Sequence, residues 1–294
     1  MHLPVMKDEA LSLIDVAEGK WYVDCTIGLG GHSQAILEKG GCVIGIDQDI
    51  EALEMAMENL YLWKERVIFK RGNFRDVKEI LDSMGISSVS GFLYDLGLSS
   101  HQIDSPERGF SFMNDAFLDM RMDKRNPIKA KDIINRSKEK ELYRIIKEYG
   151  EEPRARKIAK AIVSNRPIKT TQELSSLIMK AYYGKRGKIH PSTRTFQAIR
   201  IAVNDELNAL KESLDQILPF LSKNGRVCVI SFHSLEDRIV KEAFKKWKEE
   251  GIFNILTKKP IRPSFEEIRR NPRARSAKLR GGEKIAECRF QNAK

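Results

Sequence analysis

The sequence has 294 residues, a formal net charge of +11, and hydrophobic and charged fractions of 41% and 32%. This composition allows a buried core, and the length suits one large α/β domain or a core domain carrying a smaller one. No apolar run approaches the about 20 residues of a membrane helix, and no secretory signal is visible, so we expect a cytoplasmic protein without membrane contact. The four cysteines, Cys25, Cys42, Cys228 and Cys288, lack metal-ligand spacing, so we expect no metal site.

The positive charge is unevenly distributed along the chain. Residues 1–100 contain 9 Lys or Arg and 16 Asp or Glu, whereas residues 101–294 contain 43 and 25. A basic excess can serve solubility alone, but an acidic first third before a basic remainder suggests two separate tasks. The basic part therefore predicts a polyanionic partner, of which nucleic acid is the first candidate.

In chain order, the first hundred residues alternate between strand and helix patterns. Apolar runs predict strands at 21–27, 42–46, 67–70 and 89–94, and helical periodicity separates them at 32–39, 50–60 and 77–84. The alternation predicts an α/β fold with a Rossmann-like, doubly wound parallel sheet. Ligands of such sheets bind at the carboxyl ends of the strands. Those ends hold residues 28–32, Asp47, Asn73, Phe74 and Asp95.

The pattern changes near residue 104. Helical segments follow at 137–149, 153–163, 171–183 and 196–221, and Thr170-x-x-Glu173 forms a capping box. Strand patterns return at 226–232, 253–257 and 276–280, with an amphipathic helix at 235–247 capped by Ser234-x-x-Asp237. We therefore expect the first part of the sheet domain at 1–103, an all-helical insertion at 104–203 for substrate recognition, and the second part at 204–294 with a basic end.

A glycine-rich loop, Gly28-Leu29-Gly30-Gly31-His32, joins the first strand to the first helix. Its glycines permit unusual backbone angles and close approach of a ligand to the main chain. Asp47 ends the second strand, where a carboxylate can accept both hydroxyls of a ribose. A helix N-cap is the alternative role for Asp47. Loop and carboxylate together predict a cofactor that contains a nucleoside.

The loop also limits which cofactor binds. The dinucleotide fingerprint Gly-x-Gly-x-x-Gly has Ser33 at its last glycine position, and the nucleotide-binding pattern Gly-x4-Gly-Lys-Ser/Thr is absent. S-adenosylmethionine has no phosphate, and its cationic sulfonium and ammonium groups suit the carboxylates of Asp24 and Asp95. S-adenosylmethionine is therefore favoured, with a nicotinamide-dependent oxidoreductase as the alternative enzyme.

Sequence blocks along nearly the whole chain resemble the RsmH (MraW) family. They include Asp24-x-Thr26-x-Gly28-x-Gly30-Gly31-His32-Ser33, Asp95-Leu96-Gly97-Leu98-Ser99-Ser100-x-Gln102, His190-Pro191-x-Thr193-Arg194-Thr195-Phe196-Gln197-Ala198-x-Arg200-Ile201, Ser231-Phe232-His233-Ser234-Leu235-Glu236-Asp237-Arg238 and Asn271-Pro272-Arg273-Ala274-Arg275-Ser276-Ala277-Lys278-Leu279-Arg280. The resemblance implies an S-adenosylmethionine-dependent methyltransferase with an inserted helical domain. It implies that the target is N4 of a cytidine in 16S ribosomal RNA, in the decoding (P-site) region of the bacterial small subunit.

The same resemblance implies the residues that contact the cofactor. The loop amides would meet the methionine end, Asp47 would hold the ribose, and Phe74 would flank the adenine. For Phe74 a place in the hydrophobic core is an equal alternative from the residue type alone. The full set is Gly30, Gly31, His32, Asp47, Phe74, Asp95 and Gln102.

Asp95 and His233 are the candidate catalytic residues. The amine of cytosine N4 is a poor nucleophile because its lone pair is delocalised into the ring, so a group that accepts its N–H would help. Asp95, which ends the fourth strand, or a nearby carbonyl is the candidate acceptor. His233 ends the fifth strand and would contact the base or relay the proton. Asp95-Leu96-Gly97-Leu98 differs from the Asp/Asn-Pro-Pro-aromatic tetrad of many amino-methyltransferases, so spacing alone does not identify N4. A loop histidine held by Asp237 or by the backbone is the alternative for His233.

Basic residues of the later segments are the candidate RNA contacts. Arginine binds phosphates bidentately and stacks on bases, although an exposed charge run is the alternative. The candidates are Arg194, Arg200, Arg238, Arg273, Arg275 and Lys278. We expect 16S rRNA as the partner, either within the small subunit or in an assembly intermediate, and a monomer or homodimer. A non-catalytic RNA-binding factor for ribosome assembly is the remaining alternative function.

Overall fold

The computed structural model describes residues 4–183 and 189–286. The chain divides into two compact units: the sheet unit, Met1–Gly97 with Leu207–Lys294, and the helical unit, Leu98–Glu206. The helical unit begins before and ends after the predicted insertion at 104–203. The reason is that Leu98 packs on the helical core and Glu206 pairs with Arg200 inside the same unit.

Seven strands form one sheet. They are β1 (Trp21–Asp24), β2 (Cys42–Asp47), β3 (Val67–Arg71), β4 (Val89–Asp95), β5 (Leu221–Ser231), β6 (Phe253–Ile255) and β7 (Lys278–Lys284). Their spatial order is β3-β2-β1-β4-β5-β7-β6. The pairs among β1 to β5 are parallel, and β7 runs antiparallel to both β5 and β6. The predicted α/β fold class with a Rossmann-like parallel sheet is thus confirmed.

The helices of the described residues surround this sheet or build the helical unit. They are α1 (Lys7–Ile14), α2 (Gly31–Glu38), α3 (Ile50–Asn59), α4 (Val77–Ser83), α5 (Ser100–Asp104), α6 (Ala130–Arg136), α7 (Glu139–Glu148), α8 (Ala155–Ser164), α9 (Thr171–Ala181), α10 (Ser192–Asn204), α11 (Glu206–Ile217), α12 (Ser234–Glu249) and α13 (Phe265–Arg270). Helices α5 to α10 lie in the helical unit. Among the helices of these residues, none is long and apolar enough to cross a bilayer.

Both faces of the sheet are buried, which explains the continuous apolar runs of its strands. Successive strand residues enter two different hydrophobic clusters: Phe92 lies in one and Leu93 in the other, as do Val227 and Cys228. This alternation follows from the two-residue period of a strand. A third cluster, which contains Phe196, forms the core of the helical unit.

The predicted helix at 196–221 is wrong as a single element. It is two helices, α10 and α11, because Asp205 between them has a left-handed backbone with φ of 50°. Leu218–Phe220 then forms one short 3₁₀ turn, and β5 begins at Leu221. The apolar periodicity continues through this break, so the pattern alone does not reveal it.

Two further predictions are shifted. The cap of α12 is His233 with Glu236, and not Ser234 with Asp237, because Asp237 is taken up by Arg280 and Lys278. The last strand begins at Lys278, since Pro272–Ser276 forms a short 3₁₀ helix. By contrast, the predicted capping box of Thr170 and Glu173 is confirmed at the start of α9.

Candidate active site

Three acidic residues end neighbouring parallel strands of the sheet unit. Asp24 closes β1, Asp47 closes β2 and Asp95 closes β4, and β1 lies between the other two. The amide of Asp95 donates a hydrogen bond of 2.7 Å to Oγ1 of Thr26, which fixes the end of β4 to the loop after β1. Strand ends and glycine loop therefore meet at one edge of the sheet, where ligands of such sheets bind.

Asp47 anchors the glycine loop. Its Oδ2 accepts a hydrogen bond from the amide of Gly28 and its Oδ1 one from the amide of Asp49, both at 2.9 Å. Each carboxylate oxygen has a second lone pair, so the side chain can still accept ribose hydroxyls. Burial raises the pKa of Asp47 to about 6 against these two hydrogen bonds. The alternative role as helix N-cap belongs to Asp49, whose side chain accepts from the amide of Glu51.

The glycines of the loop serve two different purposes. A Cβ on Gly30 would lie 2.9 Å from Leu60 Cδ1, and one on Gly31 would lie 2.8 Å from Pro4 Cγ, so packing against other side chains requires these two glycines. At Gly28, whose φ is 50°, the nearest atom to a Cβ is the Thr26 carbonyl oxygen at 3.8 Å. The space above Gly28 is therefore open enough for a ligand to reach the main chain.

His32 is the second residue of α2 and lies buried near the carboxylates of Asp95 and Asp24. Its Nε2 is 3.4 Å from Oδ2 of Asp95. Burial lowers the pKa of His32, but the hydrogen bond to Asp95 and the negative charges of Asp95 and Asp24 outweigh this effect, so the pKa of His32 is raised overall. Burial also raises the pKa of Asp24, against a hydrogen bond of 2.7 Å that Ser33 Oγ donates to it. The residues that follow the loop thus form an ionisable cluster at the ends of β1 and β4.

This cluster contains polar atoms that lack hydrogen-bond partners within the described residues. They include Nδ1 of His32 and Oδ1 of Asp95. A buried polar atom without a partner costs about 1–3 kcal/mol, so such atoms mark a place where a ligand completes the bonding. The carboxylate of Asp95 has an oxygen that can still accept a hydrogen bond, so it suits the cationic groups of S-adenosylmethionine. The carboxylate of Asp47 suits the ribose. The residues present therefore fit this cofactor.

Phe74 and Gln102, the other two predicted cofactor contacts, are placed differently. Phe74 follows β3 and packs edge-on against Tyr94, with ring centroids 5.9 Å apart. It is only partly buried, so the ring has a packed side and an accessible one. Gln102 lies in the helical unit, where its Oε1 accepts from the amide of Ser99 in a capping box. The structure therefore brings Phe74 to the sheet edge and gives Gln102 a capping role in the other unit.

His233 follows β5 and caps α12, and Glu236 holds it there. Oε1 of Glu236 lies 3.1 Å from His233 Nε2, while Nδ1 of His233 accepts the Glu236 amide at 3.4 Å. Oε2 of Glu236 accepts the amides of Phe232 and His233. Glu236 is 3% exposed. The sequence analysis did not identify it as a partner of His233, although an acidic residue three positions after an N-cap is typical of a capping box.

Two of the predicted RNA contacts in the helical unit are held by protein groups. Arg200 binds both carboxylate oxygens of Glu206, at 2.9 and 2.8 Å, and is only 15% exposed. Arg194 donates to the carbonyl oxygen of Glu151 at 3.3 Å and is partly exposed. Arg200 is thus built into the fold of this unit, while Arg194 retains an accessible surface.

The predicted RNA contacts of the sheet unit also differ from one another. Lys278 lies 3.2 Å from Asp237, which also binds Arg280 at 2.7 Å. Burial raises the pKa of Asp237, but these two cations outweigh it, and the pKa lies below its usual value. The exposed members are Arg238, Arg273 and Arg275. No cluster of three or more potential metal-ligating side chains occurs in residues 4–183 and 189–286, and Cys288 lies outside them.

Comparison with known proteins identifies the family. The MraW methylase family matches residues 1–285. A protein of Sulfurihydrogenibium sp. (strain YO3AOP1), named ribosomal RNA small subunit methyltransferase H, is 48% identical over 291 residues, which cover 97% of this chain and 99% of that protein. The protein of the same name from Clostridioides difficile (strain 630) is 46% identical over 308 residues, with the same two coverages.

The family match covers residues 1–285 of the 294 residues. It disagrees with the alternative of a nicotinamide-dependent oxidoreductase, which Ser33 in the glycine loop had already disfavoured. The sheet order, the acidic strand ends and the sequence match agree with one another. The chain belongs to the MraW methylase family, whose members are S-adenosylmethionine-dependent methyltransferases.

Proposed function

We propose that this chain methylates N4 of a cytidine in 16S ribosomal RNA, in the decoding (P-site) region of the bacterial small subunit. The relatives named as small-subunit ribosomal RNA methyltransferases support the RNA substrate. The observation that carries the proposal is the end of β4, where Asp95 Oδ1 is buried without a partner in the described residues and His32 lies beside it. An acceptor at this place suits an amine nucleophile.

The bound cofactor supplies an electrophilic methyl group. Asp47 accepts the ribose hydroxyls, the amides near Gly30, Gly31 and His32 receive the methionine end, and Phe74 flanks the adenine. Gln102 is proposed as a further contact on the resemblance alone. Because methyl transfer is an in-line displacement, holding the reactants in place supplies much of the rate.

Asp95 acts on the amine. Its carboxylate accepts one N–H of cytosine N4, which localises the lone pair on nitrogen. The new carbon–nitrogen bond would form as the methyl carbon–sulfur bond breaks, and the electron pair of that bond would remain on sulfur as a neutral thioether. The proton released from N4 passes to Asp95 or to water. His233 contacts the base and is held in place by Glu236. Together these residues perform general base and positioning roles.

The RNA is held by cations that remain accessible. Arg194, Arg238, Arg273 and Arg275 are proposed as phosphate or base contacts, and Lys278 and Arg200 as weaker ones because carboxylates already hold them. The substrate is the small subunit or one of its assembly intermediates, and the protein acts in the cytoplasm as a monomer or homodimer.

The proposal is tested by methyl transfer. Small subunits from cells without this protein are incubated with the chain and isotopically labelled S-adenosylmethionine, and the modified nucleoside is located by mass mapping of the 16S RNA. We expect one N4-methylated cytidine in the decoding region. Label on another atom would overturn the N4 target.

Asp95→Ala tests the acceptor. At saturating cofactor we expect kcat to fall by a factor of about 10²–10⁴, the range of general base catalysis. Asp82→Ala, which removes an exposed carboxylate of α4, serves as the control. Full turnover of Asp95→Ala would remove Asp95 from this role.

A non-catalytic assembly factor is the competing function. The same assay distinguishes it, because such a factor binds immature subunits but incorporates no label. Calorimetric titration with S-adenosylmethionine provides the second criterion. A factor that only binds RNA does not need this cofactor, so we expect it to show no binding in the titration.

A further inference from the structure

The helical unit contains a stretch in which almost every charge is positive. Residues 153–200 include 12 Lys or Arg and a single acidic residue, Glu173. Helix α8 lies in this stretch and has no acidic residue at all. Three of its cations, Arg156, Lys157 and Lys160, are exposed. A helix face that carries only positive charges attracts a polyanion. Without a bound anion, its cationic side chains repel one another.

An exposed tyrosine accompanies these cations. Tyr183 is 75% exposed, and Nζ of Lys157 lies 3.5 Å from the centroid of its ring. The guanidinium of Arg154 lies 4.3 Å from the ring centroid of Tyr182 and 6.0 Å from that of Tyr183. Aromatic rings with cations beside them are a frequent arrangement where single-stranded nucleic acid binds.

Hydrogen bonds connect the residues at the base of this surface. The Tyr182 hydroxyl donates to Oε1 of the fully buried Glu152 at 2.5 Å, and the amide of Arg154 donates to the same oxygen at 2.8 Å. Nη1 of Arg154 donates to the carbonyl oxygen of Ala181 at 3.1 Å. Burial and the Glu152 carboxylate raise the pKa of Tyr182 to about 12, so its hydroxyl keeps its proton. These hydrogen bonds therefore link the start of α8 to the end of α9.

We propose that the α8 platform, defined as Arg154, Arg156, Lys157, Lys160 and Tyr183, binds an unpaired segment of the RNA substrate. The face of the Tyr183 ring opposite Lys157 stacks on a base, and the cations contact the phosphates on either side. Stacking requires a base whose face is accessible, which a continuous duplex does not offer. The inference rests on the proposed function, because it assumes that RNA is the substrate, but none of its residues belongs to the cofactor site.

Binding of a short fluorescein-labelled single-stranded RNA of mixed sequence, followed by fluorescence anisotropy, tests the platform. Tyr183→Ala should weaken binding about tenfold, since stacking contributes on the order of a tenfold change or more for each base. Tyr183→Phe keeps the ring and should bind like the unmodified protein. Lys157→Ala should make the negative slope of log K against log salt shallower by about one, because one phosphate contact is lost. Lys223→Ala in the sheet unit should leave the slope unchanged.

A blunt RNA duplex of the same composition provides the second probe. Tyr183→Ala should affect its binding less than that of the single strand. Equal binding of single-stranded RNA by Tyr183→Ala and the unmodified protein would overturn the platform. Thermal unfolding of each variant identifies any loss of fold, which is not expected for exposed side chains.

The platform and the proposed function fail in different ways. If the chain methylates 16S RNA while Tyr183→Ala and Lys157→Ala bind and turn over normally, the platform is wrong and the function stands. If Tyr183→Ala loses RNA binding but the unmodified chain transfers no methyl group, the platform stands and the function is wrong. A loss of methyl transfer at low RNA concentration that is recovered at high concentration supports both.

Discussion

Asp47 accepts two backbone amides and keeps its remaining lone pairs for a ligand. The first task holds the glycine loop against β2, and the second is expected to hold the ribose. Both depend on the ionised carboxylate, because a protonated carboxyl group loses part of its accepting capacity. Burial raises its pKa to about 6, so the ionisation falls within a range that is easily measured.

We expect the affinity for S-adenosylmethionine to fall as the pH decreases below about 6, because Asp47 is then protonated. The pH dependence of stability has the opposite sign. Because the pKa of Asp47 is higher in the folded protein, the folded state binds more protons than the unfolded state. The free energy of unfolding therefore decreases as the pH rises from 3.8, the pKa in the unfolded chain, to about 6. Calorimetric titration over this range measures the affinity. Asp47→Asn should bind weakly at every pH, and a pH dependence that persists in this variant would assign the titration to another group.

Glu236 is the partner that fixes the His233 side chain. Glu236→Gln should reduce kcat about tenfold while the dissociation constant for S-adenosylmethionine stays unchanged, because the imidazole loses its charged neighbour but the cofactor site is intact. Steady-state kinetics and calorimetry measure the two constants. Glu242→Gln, an exposed change on the same helix, is the control. A variant that is less stable but has normal kcat would indicate a purely structural role.

At the scale of elements, apolar runs located β1, β2 and β4 because residues of these strands enter hydrophobic clusters on both faces of the sheet, and they located the edge strand β3, whose Val67 is buried. For β7 the strand predicted at 276–280 covers only the first part of the observed strand, because Gly281 and Gly282 provide no hydrophobic side chain; a Cβ on Gly282 would lie 2.1 Å from Phe253 Cε1. Periodicity also failed at Asp205, where one left-handed residue ends α10 without interrupting the apolar pattern. Elements defined by buried side chains are predictable, while those defined by one backbone angle are not.

The capping box of α9 provides a prediction for an element that sequence located correctly. Thr170→Ala removes the side chain that accepts the Glu173 amide and should lower the free energy of unfolding by about 1 kcal/mol. Chemical denaturation measures the change. Gln172→Ala, an exposed change in the first turn, should have a smaller effect. Equal effects of the two substitutions would show that the cap contributes nothing specific.

At the scale of the whole molecule, the net charge of +11 does not show how many Lys and Arg side chains are accessible to an RNA partner. Counting residues predicted the basic remainder, yet Arg200 and Lys278 are held by Glu206 and Asp237. Glu206 lies in the helix that follows Arg200, and Asp237 lies far from Lys278 in the sequence. The folded structure brings each carboxylate to its cation. The candidate site was therefore predictable at the strand ends and uncertain at the basic surface, where pairing depends on tertiary structure.

The exposed pair Arg273 and Arg275 provides the test at this scale. Changing both to Ala should reduce the slope of log K against log salt for RNA binding by about two, if each contacts one phosphate. Anisotropy titrations over a range of salt concentrations measure the slope. The double variant Lys241→Ala and Lys245→Ala removes the same charge from the exposed side of α12. An equal reduction in both double variants would point to general attraction without a defined contact.

The position of β4 next to β5 has a consequence for synthesis on the ribosome. These neighbouring strands are separated in the chain by the whole helical unit. At about 5–20 residues per second, translation takes on the order of ten seconds to pass from one strand to the other. During that time one edge of β4 has no partner, and such an edge favours pairing with other chains. Early folding of the helical unit cannot cover this edge by strand pairing, so the nascent chain is most vulnerable to aggregation shortly before β5 emerges.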